Sequence, residues 1–195
     1  MTVTVTGAGT LTSSQRARRQ RMLAATLELA AEGGLDGVQM REVAEQADVA
    51  LGTLYRYFPS KEHLVISAMA QSVLDLREAL AAKPPRGDAP ADRVTDVLGR
   101  ANRFLTRRPK MTSAMIKALT AGDDVAEAVH EVTRIMSGII VDAIAVDCEP
   151  ADDHAEAADL LNYVWLSALI SWVSGAQPAD HVDAELARAA RRLLR

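Results

Sequence analysis

Apolar side chains recur at the three- and four-residue spacing of an α-helix along most of the chain. The first such stretch begins after Thr12, Ser13 and Ser14, each able to cap a helix, and we expect it to stop at Gly33 and Gly34. No segment shows the apolar–polar alternation of a β-strand, so the pattern predicts an all-α protein with about nine helices. The other predicted helices span residues 40–47, 51–57, 61–82, 91–107, 110–121, 124–146, 152–174 and 180–194.

Prolines and glycines divide the chain into parts. The clearest break is "KPPRGDAP", residues 83–90, which has three prolines and a glycine in eight residues. At the start, residues 1–11 are mostly Thr, Gly and Val without helical periodicity, and we interpret them as a disordered arm. We expect two helical domains after this arm, a smaller one over residues 12–60 and a larger one over residues 61–195.

The composition is that of an ordinary soluble globular protein, with 49% hydrophobic and 25% charged residues. Cys148 is the single cysteine, which excludes a disulfide framework and a cysteine metal site. No apolar run approaches the roughly 20 residues that span a bilayer, and the opening segment lacks the apolar core of a secretory signal. We therefore expect a cytoplasmic protein without membrane contact.

The charge is unevenly distributed along the chain. Residues 1–63 hold seven of the 22 basic and seven of the 26 acidic residues, so the net charge of −4 belongs to the remainder. Within the first part, residues 16–21 read "RARRQR", with four arginines and no acid. The net charge argues against non-specific nucleic-acid binding, and the sequence predicts an acidic protein with a local basic arm.

Residues 49–64, "VALGTLYRYFPSKEHL", concentrate unusual side chains in one place. Aromatic residues are 4% of the chain, yet three of them lie between Tyr55 and Phe58. The predicted helices 40–47 and 51–57, joined by a short turn, match a helix-turn-helix. In that motif the first helix crosses the DNA backbone, and the second enters the major groove with its N-terminal part against the bases.

The residue types on helix 51–57 suit this role. Gly52 permits close backbone approach, and Thr53 offers a hydroxyl and a methyl to base edges. Tyr55 and Tyr57 carry phenol hydroxyls that can reach phosphate oxygens, and Arg56 can bind a phosphate or, through two hydrogen bonds, a guanine. The sequence therefore predicts that these five residues contact DNA.

Basic residues outside this helix are candidates for phosphate contacts. Lys61 lies in the first turn of the next predicted helix, where the ammonium and the helix N-terminus can address one phosphate. Arg16, Arg18 and Arg19 belong to the basic arm, which can reach the minor groove or the backbone, and Arg41 lies on the first helix of the motif.

An alternative interpretation makes the tyrosines part of the core and Lys61 a solvated surface residue. Leu54 and Phe58, four positions apart on one helical face, are expected in the core under either interpretation.

The segment "VAEQADVALGTLYRYFPSKEHLV", residues 43–65, resembles the DNA-binding signature of the TetR family of transcriptional repressors. The resemblance covers residues 12–70. It implies an all-α homodimer without a cofactor, in which an N-terminal three-helix domain binds a palindromic double-stranded operator. It further implies that the C-terminal helical domain holds a hydrophobic effector and the dimer interface. Ala50 departs from the pattern, because many members have a helix-capping Ser or Thr there.

A further likeness narrows the expected effector. Residues 37–64 together with "VWLSALISW", residues 164–172, are similar to the KstR-like branch, which represses sterol and cholesterol catabolism genes. This implies a steroid intermediate, as a coenzyme A thioester, as the effector. Another apolar ligand, such as a drug or a fatty acyl-CoA, is the alternative.

Residues 160–173, "LLNYVWLSALISWV", are apolar nearly all the way round a helix, which predicts burial on two sides. Paired with helix 180–194, this helix can form a four-helix dimer interface with a second copy. The alternative is an ordinary core helix in a monomer. The predicted interface residues are Leu160, Tyr163, Val164, Ser167, Ile170, Leu186, Ala190 and Leu193.

Methionine and aromatic side chains of the C-terminal part suit a malleable effector pocket, although plain core packing gives the same spacing. The candidates are Phe104, Met111, Met115, Leu119, Met136, Ile140, Trp165, Leu169 and Trp172. Beside them, residues 103–110 read "RFLTRRPK"; these cations either meet acyl-CoA phosphates or form a solvated face.

No catalytic constellation is present in the sequence, and we expect neither an enzyme nor a metal site. The four histidines are scattered, and the Asp-Asp-His run at 152–154 follows Pro150, where helix caps are expected. Two alternatives stay open: a helical dimerisation protein that does not bind DNA, and an activator in place of a repressor.

Overall fold

The computed structural model describes residues 12–121, 125–146 and 148–194. In these ranges the chain forms nine α-helices and no strand, which confirms the predicted all-α fold. The predicted disordered arm, residues 1–11, lies outside the described residues. The helices are α1 (Ser13–Gly37), α2 (Met40–Gln46), α3 (Leu51–Tyr57), α4 (Lys61–Ala82), α5 (Pro90–Thr106), α6 (Pro109–Leu119), α7 (Ala126–Ile144), α8 (Asp152–Val173) and α9 (Ala179–Leu193).

Helix α1 begins where the capping pattern predicts and is interrupted at the predicted glycine stop. The Thr12 hydroxyl accepts a hydrogen bond from the Gln15 amide at 3.2 Å, and the Gln15 side chain accepts from the Thr12 amide at 2.8 Å. The predicted stop at Gly33 and Gly34 is confirmed for the long helical segment, which is interrupted at Gly34. Gly34 adopts a positive φ of 66°, which kinks the helix, and helical structure then resumes to Gly37.

The first three helices share a small core. Met22 and Leu23 of α1 are fully buried, as are Val43 of α2 and Leu54 of α3. Asp48, in the turn between α2 and α3, has a positive φ of 53°, a conformation that Asp tolerates better than most residues. The short turn fixes the angle between α2 and α3 and so produces the predicted helix-turn-helix.

The larger group of helices packs directly onto the smaller one. Helix α1 lies against α4 and α6, while α4 also contacts α7. On the far side α9 packs against α5 and α8. Because α1 and α4 touch both groups, a change among the C-terminal helices can reach the helix-turn-helix through contiguous packing.

Hydrogen bonds from Arg93 connect the segment 83–90, predicted as a break between helices, to the end of α7. Its buried guanidinium donates to the backbone carbonyls of Ala143 at 2.9 Å, Ile144 at 3.1 Å and Asp88 at 2.7 Å. These bonds satisfy carbonyls at the end of α7 that have no intrahelical donor. The break is therefore an ordered connection between α4 and α5.

None of the helices in the described residues is long and apolar enough to cross a membrane.

Candidate DNA-binding and effector surfaces

Helix α3 has one buried face and one exposed face, as a DNA-reading helix requires. Leu54 and Phe58 are 0% and 1% exposed, which confirms their predicted place in the core. Tyr55, by contrast, is 49% exposed, and Arg56 is exposed beside it. The alternative that places Tyr55 in the core is therefore wrong. Tyr57 is half-buried, and the Arg56 guanidinium lies 5.9 Å from the centre of its ring.

The arginine run, residues 16–21, lies within helix α1, which begins at Ser13 as the capping residues predict. Arg19 lies over the Phe58 ring, 5.5 Å from its centre, and burial lowers its pKa below the usual value for arginine. Arg21 donates to the Ala47 carbonyl at 3.0 Å. These two cations hold α1 against the helix-turn-helix, whereas Arg16 is exposed.

Arg18 lies beside the predicted base-reading residue Thr53. Together with Asp48, Val49 and Ala50 they line an open depression of about 250 Å³ next to the start of α3. Two predicted DNA contacts from different helices are thereby brought together. Ala50 supplies no side-chain cap to α3, in agreement with its departure from the family pattern.

The start of α4 has the predicted cap. The Ser60 hydroxyl accepts from the His63 amide at 3.1 Å, and Lys61 is the first helical residue. Arg41 lies farther along the surface in an ion pair with Glu45 at 3.6 Å, and both side chains are largely exposed. An exposed ion pair contributes little free energy, so Arg41 can leave Glu45 and bind a DNA phosphate at little cost.

Most predicted pocket residues lie in the core. We call the six that are buried the effector core: Met111 and Met115 on α6, Met136 and Ile140 on α7, and Trp165 and Leu169 on α8. Leu119 and Trp172 are half-buried, and Phe104 is 37% exposed.

The effector core contains an unsatisfied polar atom. The buried Trp165 Nε1–H has no hydrogen-bond partner among the described residues. A buried N–H without an acceptor is costly, and an effector oxygen could serve as that acceptor.

The outer face of α8 presents apolar side chains to solvent. Leu160, Tyr163 and Ile170 are 42%, 68% and 46% exposed, and Leu193 of α9 is 39% exposed. Ser167 is also exposed, and Val164 is half-buried.

Two predicted interface residues are placed elsewhere. Leu186 and Ala190 are 1% and 0% exposed, so they cannot touch a partner. The apolar stripe of α9 packs against α5 and α8 of its own chain, and this intramolecular packing explains the error.

No group of three metal-ligating side chains occurs in the part of the chain that the structure describes. Two of the histidines singled out in the sequence have local partners. His154 accepts from the Ala151 amide at 3.2 Å at the start of α8, and His181 pairs with Glu185 at 2.9 Å.

A helix-turn-helix with an exposed polar reading helix, carried on an all-α body, defines a DNA-binding regulator. Comparison with known families agrees. A model described as "Bacterial regulatory proteins, tetR family" matches residues 22–68, and one described as "Tetracyclin repressor-like, C-terminal domain" matches residues 87–193.

Individual relatives give the same result over nearly the whole chain. The HTH-type transcriptional repressor KstR of Mycolicibacterium smegmatis is 41% identical, with 93% of this chain and 89% of the relative covered. A TetR transcriptional regulator from Rhodococcus sp. RHA1 superposes with a TM-score of 0.84 at 38% identity, covering 93% of this chain and 98% of that structure. The chain therefore belongs to the TetR family, and it is a ligand-responsive DNA-binding repressor of the KstR branch.

A more distant structure shares the fold alone. FadR from Bacillus subtilis, solved in complex with stearoyl-CoA, superposes with a TM-score of 0.64 at 20% identity, covering 90% of this chain and 97% of that one.

Proposed function

We propose that this repressor leaves a palindromic operator when a steroid coenzyme A thioester binds among its C-terminal helices, and that it thereby controls sterol catabolism. The observation that carries the effector assignment is the buried, unpartnered Trp165 N–H in a methionine-rich core. Methionine side chains adapt to irregular apolar ligands, and the N–H can orient an effector by donating to one of its oxygens. The similarity to the sterol branch and the acyl-CoA bound to B. subtilis FadR support this ligand class.

DNA recognition is assigned to α3 and its surroundings. Gly52 and Thr53 face the bases near the start of the helix, Tyr55 contacts a phosphate, and Arg56 contacts a guanine or a phosphate. Tyr57 and the cations Lys61, Arg16, Arg18 and Arg41 contact the backbone. Arg19, which is packed on Phe58, acts by holding α1 in place rather than by direct contact.

The homodimer is assigned to the outer face of α8. Leu160, Tyr163, Ser167 and Ile170 recur along one side of that helix, with Val164 behind them and Leu193 of α9 adjoining. A symmetric dimer through this face places two α3 helices in successive major grooves, about 34–36 Å apart.

Helix α4 connects the two functions. Its first residue is Lys61 at the DNA side, and Arg77 near its other end donates to the Ile135 carbonyl of α7 at 3.3 Å. Effector binding between α6, α7 and α8 therefore shifts α4, and the spacing of the two reading helices no longer fits the operator. A coupling of about 1–3 kcal/mol is sufficient for a 5–150-fold change in DNA affinity.

The rest of the assignment follows from this role. A regulator of chromosomal genes works in the cytoplasm, and binding alone accounts for its function, so we assign no catalytic activity. A drug or a fatty acyl-CoA is the competing effector.

An effector series tests the proposal. Operator DNA from upstream of the protein's own gene is titrated with the purified protein in the presence of a steroid-CoA thioester, stearoyl-CoA, the free steroid acid or no addition. Release by the steroid thioester at the lowest concentration supports the proposal. Preferential release by stearoyl-CoA moves the assignment to fatty acids, and release by none of them refutes the effector class.

A further inference from the structure

The corner between α5 and α6 carries a concentration of positive charge that DNA recognition does not use. Arg100, Arg103, Phe104, Arg107 and Arg108 line an open depression of about 340 Å³, and no acidic residue is among them. We call these five residues the arginine corner. The protein as a whole is acidic, with a net charge of −4, so this concentration is not a consequence of composition.

One of the four arginines is committed to the fold. Arg100 donates to the Asp96 carboxylate at 2.5 Å and to the backbone carbonyls of Lys83 and Pro84 at 2.6 and 3.0 Å. Burial would raise the pKa of Asp96, but hydrogen bonds from the Arg86 amide and from Arg100 hold it below its usual value. The ionised Asp96 therefore fixes Arg100 as one wall of the depression.

The other three arginines are not held by bonds of this kind. The side chains of Arg103, Arg107 and Arg108 are exposed and form no ion pair or hydrogen bond with any residue that the structure describes. Arg103 and Arg107 are four positions apart, an arrangement in which like charges repel. This repulsion destabilises a surface that faces only water, whereas a bound polyanion would neutralise the charges.

The depression also offers a flat surface. The Arg108 guanidinium lies over the Phe104 ring, 5.4 Å from its centre, and Phe104 is 37% exposed. Aromatic rings and guanidinium planes stack on nucleobases, and guanidinium groups bind phosphates through paired hydrogen bonds. Stacking beside several phosphate-binding groups matches a nucleotide rather than a simple inorganic anion.

We propose that the arginine corner binds the phosphorylated nucleotide of a coenzyme A thioester, with its diphosphate and ribose phosphate on Arg103, Arg107 and Arg108 and its adenine against Phe104. This rests on the proposed function, which makes the effector a thioester. The position fits, because α6 begins directly after Arg108 and carries Met111 and Met115 into the effector core. At 1.5 Å per helical residue, Arg108 and Met115 are roughly 10 Å apart along α6.

The same corner adjoins the DNA-binding helices. Lys110 Nζ donates to the Glu32 carbonyl of α1 at 2.9 Å, and α1 carries Arg18 at its other end. Nucleotide binding at Arg107 and Arg108 therefore acts close to a contact between α6 and α1. We expect the nucleotide to contribute to release from DNA as well as to affinity.

The test uses full-length protein and a triple variant, Arg103→Gln, Arg107→Gln and Arg108→Gln, with Lys117→Gln as the matched control. Lys117 is an exposed cation on α6, outside the depression. Calorimetric titrations with a steroid-CoA thioester, free coenzyme A and the free steroid acid are run at two salt concentrations. We expect the triple variant to bind the thioester about 30–100-fold more weakly, since charge-assisted hydrogen bonds are lost, and the free acid with unchanged affinity. The control should match the wild type.

Several outcomes overturn the proposal. Thioester affinity in the triple variant within about twofold of the wild type does so, and so does an equal loss in Lys117→Gln. A triple variant that loses operator affinity without effector shows that the corner contacts DNA instead.

Free coenzyme A separates this proposal from the proposed function. The thioester could fail to release operator DNA while coenzyme A binds the wild type and not the triple variant. That result supports nucleotide binding at the arginine corner and refutes the effector assignment. If neither the thioester nor coenzyme A binds, both fail.

Discussion

The reading helix α3 and the effector core differ in whether the residues proposed to bind a ligand are also the residues that form the hydrophobic core. On α3 the core residues and the proposed DNA contacts are separate, since Leu54 and Phe58 face inward while Tyr55 and Arg56 face solvent. In the effector core the proposed effector contacts are themselves structural, because Met111, Met115 and Trp165 are buried members of the hydrophobic core. A surface site can therefore be altered without harm to the fold, whereas a core site tolerates only substitutions that nearly preserve side-chain shape.

Substitutions on the outer face of α8, the proposed dimer interface, should have the largest effect. Tyr163→Glu with Ile170→Glu places two charges on an exposed apolar surface, so each chain should fold but fail to pair. Operator affinity should fall about 10²–10⁴-fold, because the second half-site is no longer bound by a linked partner. Analytical ultracentrifugation and DNA titration measure the two effects, and a variant that stays dimeric would contradict the assignment of α8. Leu160→Gln on the same face is expected to give a weaker form of the same defect.

The double variant Tyr55→Phe with Arg56→Ala should abolish reading by α3 while leaving stability unchanged. Loss of a phosphate hydrogen bond and of an arginine contact is expected to cost about 2–4 kcal/mol of operator binding. Thermal unfolding should be that of the wild type, since both side chains are exposed. Arg134→Ala, an exposed arginine on α7 paired with Glu131, is the control and should bind DNA normally.

Trp165→Phe separates effector binding from packing inside the core. The change removes the unpartnered N–H and keeps an aromatic ring, so effector affinity should fall about 3–10-fold with little change in DNA affinity. Trp172→Phe, at a half-buried position that the sequence also assigns to the pocket, tests whether the second indole takes part. Equal effector affinity in Trp165→Phe and the wild type would show that the N–H takes no part in recognition.

Lys61→Ala should have a similarly small effect, on DNA affinity rather than on effector affinity. Loss of one phosphate contact weakens binding to all DNA sequences about three- to tenfold and reduces the salt slope by about one unit. Thr53→Ala should instead change the preferred sequence. Titrations on specific and random DNA at several salt concentrations distinguish the two, and an unchanged slope in Lys61→Ala would remove Lys61 from the interface.

Local signals in the sequence predicted the DNA-binding region well. The bounds of α3 and the Ser60 cap follow from proline, capping residues and helical spacing within a few positions. Contacts between distant segments could not be predicted in this way. The stacking of Arg19 on Phe58 and the bond from Arg21 to Ala47 depend on how α1 crosses the helix-turn-helix, so the sequence alone placed Arg19 among the DNA contacts.

The C-terminal helices show the same limit. The spacing of Leu186 and Ala190 identifies an apolar stripe but not what covers it, and here the cover is α5 and α8 of the same chain. The buried anchor Arg93 left no signal at all, because its three backbone acceptors are up to 51 positions away.

Hydroxyl-radical footprinting of DNA upstream of the protein's own gene tests the central claim most directly. The wild type should protect two palindromic half-sites about one helical turn apart, and the variant Tyr55→Phe with Arg56→Ala should protect neither at the same concentration. Protection by the folded variant equal to that of the wild type would contradict the assignment of α3 as the reading helix.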